Sequence, residues 1–305
     1  MVHRFQHVAM ATQFEIRCTG PDVRYARQAA RAAFAEVDRL EQQLSRFLEN
    51  SDITRINHLT PGDATIVGYE TMQCLRLACL IHEATDGAFD PALGAGFERV
   101  RLDPEAFIVS VVPGPESDPA DGEAPASQDA AGPLQIDLGA IGKGFAIDRV
   151  AEVLEDWEMP RALIDAGSSS VLALDPPEGD DGWPLTISEP GSNGPVLATV
   201  CVCQVALGAS GIRKPDHIVD PRSRTPVRSR AAAWVSAPRS VLAGIGRRAE
   251  VEGASAAVAD ALSTAFMIAP VECIRDWCGR YPGLEAWILE DRLTHFPAAV
   301  ASGNR

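Results

Sequence analysis

The sequence predicts an α+β fold, and three observations carry that expectation. Apolar residues recur at helical spacing in some segments and alternate in others; strands and helices mix without a regular strand–helix–strand rhythm; and several strand-like segments follow one another directly. A composition of 46% hydrophobic and 23% charged residues is that of a globular chain able to bury a sizeable core.

The first helix is expected over residues 23–48. Ala26, Ala30, Ala33, Phe34, Val37, Leu40, Leu44 and Phe47 recur at three- and four-residue intervals, with Arg24, Arg27, Arg31, Glu36 and Glu41 on the other face. Ser51-Asp52 then offers an N-cap for a short turn through Ile53, Ile56 and Asn57. A second long helix is expected over 69–84, with Met72, Leu75 and Cys79 inward and Gly87 as its stop. From Pro104 to Pro133 the composition shifts to Pro, Gly, Ala, Asp and Glu, broken only by an apolar run from Phe107 to Val112. This predicts a strand and then a mobile acidic insertion at about 113–132. Strongly patterned segments resume at once beyond it, so the insertion is expected to interrupt one domain spanning 1–305 rather than to link two. A helix over 143–157, strands at 162–165 and 185–188, and a long alternating run over 196–207 come next. Helices at 256–268 and 271–279 and a strand at 284–289 complete the core.

A formal net charge of −15 and a pI near 4.8 repel a phosphate backbone, and no basic stripe with interleaved aromatics overrides that field, which argues against nucleic acid as a partner. No uninterrupted apolar run is long enough to span a bilayer. The first ten residues lack the apolar stretch, cleavage site and lipid-accepting Cys of an export signal, so a cytoplasmic location is expected. Seven cysteines with no Cys-x-x-Cys pair predict mostly buried free thiols, with Cys201 and Cys203 on one face of a strand.

Four segments carry chemistry. In the apolar helix around Ala256–Ile268, Asp260 and Thr264 lie one turn apart on one face, so a carboxylate and a hydroxyl can converge on a hard cation such as Mg²⁺, which keeps sites open for phosphate. Taken alone, the pair is also explained by an Asp that caps or pairs locally and a Thr bonded back to its own helix. Gly139, Gly142 and Gly144 at a strand-to-helix junction let backbone approach a ligand, while the helix N-terminus and Lys143 favour phosphate. The spacing is neither that of a P-loop nor of a dinucleotide fingerprint, and a solvated lysine on a glycine-rich turn remains open. Thr85–Pro91 leaves a helix through a glycine and sets Phe89 beside Asp90. Finally, Gly208-Ala209-Ser210-Gly211 precedes Asp216-His217-Ile218, where His217 is either a base oriented by Asp216 or Asp220 or a structural imidazole.

In this order the segments resemble the FAD:protein FMN transferase family, the ApbE family. The match runs from Ala9-Met10-Ala11-Thr12 and Leu44-Ser45-Arg46-Phe47 through 51–57, 86–91, 137–148 and 217–221 to 259–264. The resemblance implies a T-fold-like architecture of mixed or antiparallel sheets packed with helices, and a Mg²⁺-dependent reaction with FAD as substrate. FMN passes to a Thr or Ser hydroxyl of a flavin-acceptor protein and AMP is released. By the same resemblance, Asp260, Thr264 and the backbone carbonyl of Ala140 hold the metal; Met10, Ala88, Phe89, Asp90, Asp137, Lys143 and Ile218 contact FAD; and His217, Asp260 and Lys143 are catalytic, His217 deprotonating the acceptor hydroxyl. Two departures stand out: Met10-Ala11-Thr12 replaces Met-Gly-Thr, and Gly167-Ser168-Ser169-Ser170 replaces a Gly-Gly-Asp-like turn. They leave open an FAD pyrophosphatase giving FMN and AMP, or a non-catalytic FAD-binding protein.

Overall fold

The computed structural model describes residues 1–20, 22–113, 134–167, 169–191, 194–212, 218–239 and 253–298. The chain opens with a hairpin of β1 (Val2–Ala9) and β2 (Thr12–Thr19), in unbroken register from Val2↔Thr19 to Ala9↔Thr12. Its two turn residues, Met10 and Ala11, both take positive φ, 49° and 55°, as tight hairpin turns of this hand require. Helix α1 (Val23–Leu44) starts at Asp22, whose side chain accepts from the Arg24 N–H. It ends a turn before the expected residue 48, because Ser45 is extended and its Oγ accepts from the Phe47 N–H. Phe47 therefore leaves the inner face on which its spacing had placed it and is 81% exposed.

Ser51 caps α2 (Asp52–Asn57) through the Thr54 N–H, as its position predicted. Strand β3 (Ala64–Ile66) precedes α3 (Tyr69–Ala84), whose bounds agree with the expectation; Gly87, at φ 71°, donates its N–H back to the His82 carbonyl. Strands β4 (Val100–Asp103) and β5 (Ile108–Val111) join β3 in a small sheet of order β3-β5-β4. The acidic insertion expected at 113–132 lies, Pro113 apart, outside the described residues.

Then come α4 (Gly142–Asp156), β6 (Ala162–Ala166), β7 (Ser170–Ala173), β8 (Trp183–Ser188), β9 (Val196–Val202) and β10 (Val205–Gly211). The alternating run over 196–207 is thus two strands. Gln204 turns the chain at φ 55°, so that β9 pairs with β8 in a separate ribbon while β10 enters the main sheet. Strands β11 (Val219–Asp220) and β12 (Thr225–Pro226) form a short hairpin, and β13 (Ala232–Pro238), α5 (Ser255–Ala265), α6 (Val271–Arg280), β14 (Glu285–Leu289) and β15 (Leu293–Phe296) follow.

The main sheet has eight strands in the order β1-β2-β6-β7-β10-β13-β14-β15, every pairing antiparallel. The α+β class is the one observed. Alternation divides the faces. Phe14, Ile16, Ile164, Leu172, Ala206 and Val235 belong to the large core shared with α1, α4 and α5. Leu207, Trp234, Trp287 and Leu289 point the other way and pack with Ile187 of the β8–β9 ribbon. The expectation of mostly buried cysteines is corrected: Cys18, Cys74 and Cys278 are buried and Cys79 half-buried, but Cys201, Cys203 and Cys273 are exposed. Ala198, Val200 and Val202 turn toward the apolar clusters under the ribbon, so the alternate positions Cys201 and Cys203 face outward. No described helix is long and apolar enough to cross a membrane.

Candidate active site

The site is built around α5, which is held from all sides. Its N-terminal amides at Ala256 and Ala257 donate to the two carboxylate oxygens of Asp148 on α4, at 3.0 and 2.9 Å. At its other end Arg230 donates from Nη1 to the carbonyls of Phe266 (2.6 Å) and Ala269 (2.5 Å). These partners answer the unpaired amides and carbonyls that every helix leaves at its ends. Two glycines let the neighbours close in. A methyl group on Gly144 of α4 would collide with the Ala256 carbonyl, and one on Gly208 of β10 with the Ala259 carbonyl.

So held, α5 presents Asp260 and Thr264 to a cleft of about 1140 Å³. Asp260 is only 2% exposed. Its Oδ2 accepts from the Gly144 N–H at 3.2 Å and lies 3.5 Å from Lys143 Nζ, which also donates to the Gly139 carbonyl at 2.8 Å. A buried carboxylate is tolerable only with such compensation.

The hydroxyls beside it can be assigned donor by donor. Ser263 Oγ donates to the Asp260 carbonyl at 2.7 Å, so its single proton is used there. At the 2.8 Å contact with Ser263, Ser210 Oγ is therefore the donor, and at the 2.9 Å contact with Thr264 it is the acceptor. Thr264 gives its proton to Ser210 and keeps its oxygen lone pairs for whatever occupies the cleft. A carboxylate, a hydroxyl oxygen whose proton is spent on Ser210 and the nearby Ala140 backbone form a hard-oxygen set of the kind Mg²⁺ takes.

Beside Asp260 the cleft continues along the glycine-rich turn. Asp137 Oδ1 accepts from the Gly139 N–H at 2.8 Å, its Oδ2 pairs with Arg46 Nε at 3.0 Å, and its own N–H donates to the Pro91 carbonyl at 2.7 Å. That last bond ties the turn to the loop after α3, where Asp90 accepts from the N–H groups of Ala92 and Gly94 at 2.7 and 2.9 Å. Ser188 and Glu189 of the ribbon, together with Trp234 of β13, close the far side.

Residues 10–288 match the ApbE family. This chain is a member of the ApbE family. A Treponema pallidum (strain Nichols) protein named FAD:protein FMN transferase is 27% identical over 308 residues, covering 88% of this chain and 80% of that one. A Vibrio cholerae protein of the same name is 24% identical over 243 residues, 69% of this chain and 70% of its own. Among solved structures, the ApbE protein of Thermotoga maritima superposes with a TM-score of 0.76 at 22% identity, covering 98% and 97% of the two chains. The flavin transferase ApbE of Vibrio cholerae superposes at 0.75 and 16% identity, covering 98% of each. At these identities the superpositions establish a shared fold.

Of the residues the ApbE resemblance singled out, Ala88, Phe89, Asp90, Asp137, Ala140, Lys143, Ile218, Asp260 and Thr264 line this one cleft. Met10 is not among its lining residues; it sits in the β1–β2 turn, where its N–H donates to Glu41 Oε1 at 2.7 Å. His217 lies outside the described residues; the residue that follows it in sequence, Ile218, lines the cleft. Ser168 is likewise outside them, whereas Ser169 lines the cleft and donates from Oγ to the Ala166 carbonyl at 3.2 Å. Sequence reasoning named Ser210 without giving it a role. The available signal was its place two residues after Gly208 on one strand, which puts both on the face toward α5. The Arg46–Asp137 pair and the Asp148 cap carried no local signal, since their partners are remote in sequence.

Proposed function

We propose that this ApbE-family chain transfers FMN from FAD to the hydroxyl of a Thr or Ser on an acceptor protein, using Mg²⁺ and releasing AMP. The observation that carries the reading is the convergence of Asp260, Thr264 and Lys143 on one cleft with the Asp137–Gly144 turn. The names of the relatives, FAD:protein FMN transferase, support the same reaction.

Asp260, Thr264 and the Ala140 carbonyl would hold the metal. When bound, Mg²⁺ supplies charge neutralisation at the diphosphate, the main requirement of phosphoryl-type transfer. Lys143, held by the Gly139 carbonyl and drawn toward Asp260, keeps its ammonium at the same wall for the charge developing on the leaving AMP. Asp137 and Asp90 spend their carboxylates on backbone N–H groups and on Arg46, which fixes the shape of the flavin side of the cleft. His217 takes the proton of the acceptor hydroxyl as that oxygen bonds to the FMN phosphorus. The anhydride bond breaks and AMP leaves with the bridging oxygen.

The test is incubation of the protein with FAD, Mg²⁺ and a flavinylation-competent acceptor domain, read by mass spectrometry of the acceptor. An FMN adduct on a Thr or Ser is expected. AMP release at the same rate with or without the acceptor, and no adduct, would show water to be the acceptor; intact FAD under all conditions would reduce the chain to a flavin-binding protein.

A further inference from the structure

Away from the cleft, a second cavity of about 480 Å³ runs between strand β1 and helix α1. On the strand side it is lined by the consecutive residues Arg4 to His7, whose side chains alternate between faces, so the channel follows the edge of β1 rather than lying under one face. On the helix side it extends from Arg27 to Asp38. The eleven helical rises between them, at about 1.5 Å each, span roughly 16 Å, the length of about five residues of extended chain.

β1 ends the main sheet and, among the described residues, pairs on one side only, with β2. Protein edges are commonly blunted by proline, a bulge, shortness, charged side chains or a covering element. β1 is eight residues long, free of proline and in unbroken register; its charged Arg4 is turned to Glu15, and α1 lines the channel beside it. Its outer backbone groups are spaced to pair with another strand.

The charge of the channel runs against that of the chain. Arg4, Arg27 and Arg31 all line it, on a molecule of net charge −15. Arg4 is shared with Glu15, but neither Arg27 nor Arg31 has a carboxylate partner among the described residues. The acid within the channel, Asp38, is occupied by His7 at 2.6 Å. Phe34, stacked on His7 with ring centroids 5.1 Å apart, supplies an apolar floor. A second copy of this chain would bring arginines against arginines across a β1–β1 pairing, so the fit is to a segment of opposite charge.

We propose that the β1–α1 channel is a docking groove for an extended acidic segment of a partner protein, which adds as a strand to the edge of β1 while its carboxylates meet Arg27 and Arg31. Backbone pairing supplies the main attachment and the arginines choose the sign of the partner.

The full-length protein is titrated with a fluorescein-labelled eight-residue peptide alternating Glu and Val, with its Lys–Val counterpart, and with a Glu–Val peptide N-methylated along one edge. Binding is followed by anisotropy and hydrogen exchange. The Glu–Val peptide is expected to bind, to slow exchange in β1, and to lose about tenfold in affinity, or about 1.4 kcal/mol, with Arg27→Glu/Arg31→Glu, both exposed helix positions. Arg27→Lys/Arg31→Lys, which keeps the charge and the helix, is expected to retain binding. Equal binding of the N-methylated peptide overturns strand addition in favour of a bare anion patch. Equal binding of the Lys–Val peptide, insensitivity to the charge reversal, or no binding of any peptide up to millimolar concentration overturns the proposal altogether.

Discussion

At position 11 a Cβ sits where the backbone favours none. Ala11 holds φ 55° at the β1–β2 turn, and the left-handed region costs an L-residue about 1–2 kcal/mol that glycine avoids. Part of the gain from glycine is offset by its freer unfolded chain. Ala11→Gly is therefore expected to stabilise the protein by up to about 1 kcal/mol in urea unfolding; a lowered midpoint would show that the turn is not strained. In the cleft, the proton assignment makes Ser210 the group that turns the Thr264 lone pairs outward. Ser210→Ala releases Thr264 to bond back to its own helix. The expected result is about tenfold or more weaker binding of Mn²⁺, as Mg²⁺ stand-in, by electron paramagnetic resonance. Unchanged Mn²⁺ binding would refute the assignment. Asp260→Ala removes the carboxylate itself and should lower AMP release from FAD by at least about a hundredfold, measured at saturating FAD.

Among the elements, α5 matters most, and its position depends on contacts too tight for any side chain. Gly208→Ala forces a methyl into the Ala259 carbonyl, and overpacking of this kind costs about 1–3 kcal/mol. Gly279, in α6, is the control: nothing lies within 4 Å of a Cβ built there and its φ is not positive. Gly279→Ala should be neutral or stabilise by up to about 1 kcal/mol. Chemical denaturation of the two variants against the parent tests the contrast, and similar effects at both sites would mean that the α5–β10 approach is not close. α1 shows the reverse dependence, an element whose end is set locally. Ser45 leaves the helix and bonds the Phe47 N–H, which turns Arg46 toward Asp137 and so delivers a cation from a helix end to the cleft.

For the molecule as a whole, pH acts through the buried joint between α4 and α5. Burial pushes the Asp148 carboxyl up to about 7, against the pull of the two amides that bond it. An unfolded Asp titrates near 3.9, so between about pH 4 and pH 7 the folded state binds more protons than the unfolded one. The contribution of this group to stability is greatest below about pH 4, falls as pH rises toward about 7 and is level above that. Asp148→Asn should flatten this slope, and the difference between the two proteins' urea midpoints across that range isolates it from the other carboxylates. An identical slope in both would exclude the linkage.

What the sequence determined by itself is considerable. The α+β class, the bounds of α3 and the Ser51 cap all follow from local periodicity and capping chemistry, which are properties of neighbouring residues. The ordered segments that line the cleft were likewise readable, because each is a short run with its own composition. Phe47 misled because periodicity continues past a helix end that a single hydroxyl decides. The run over 196–207 misled because alternation is the same in one strand as in two, and only the separate partners of β9 and β10 divide it. Tertiary structure alone decided that Ser210 faces Thr264 and that Asp148 and Arg230 clamp α5. Those relations join residues up to about a hundred positions apart, as between Asp148 and Ala256. Strand register and helix packing set them, and no spacing along the chain encodes which faces will meet.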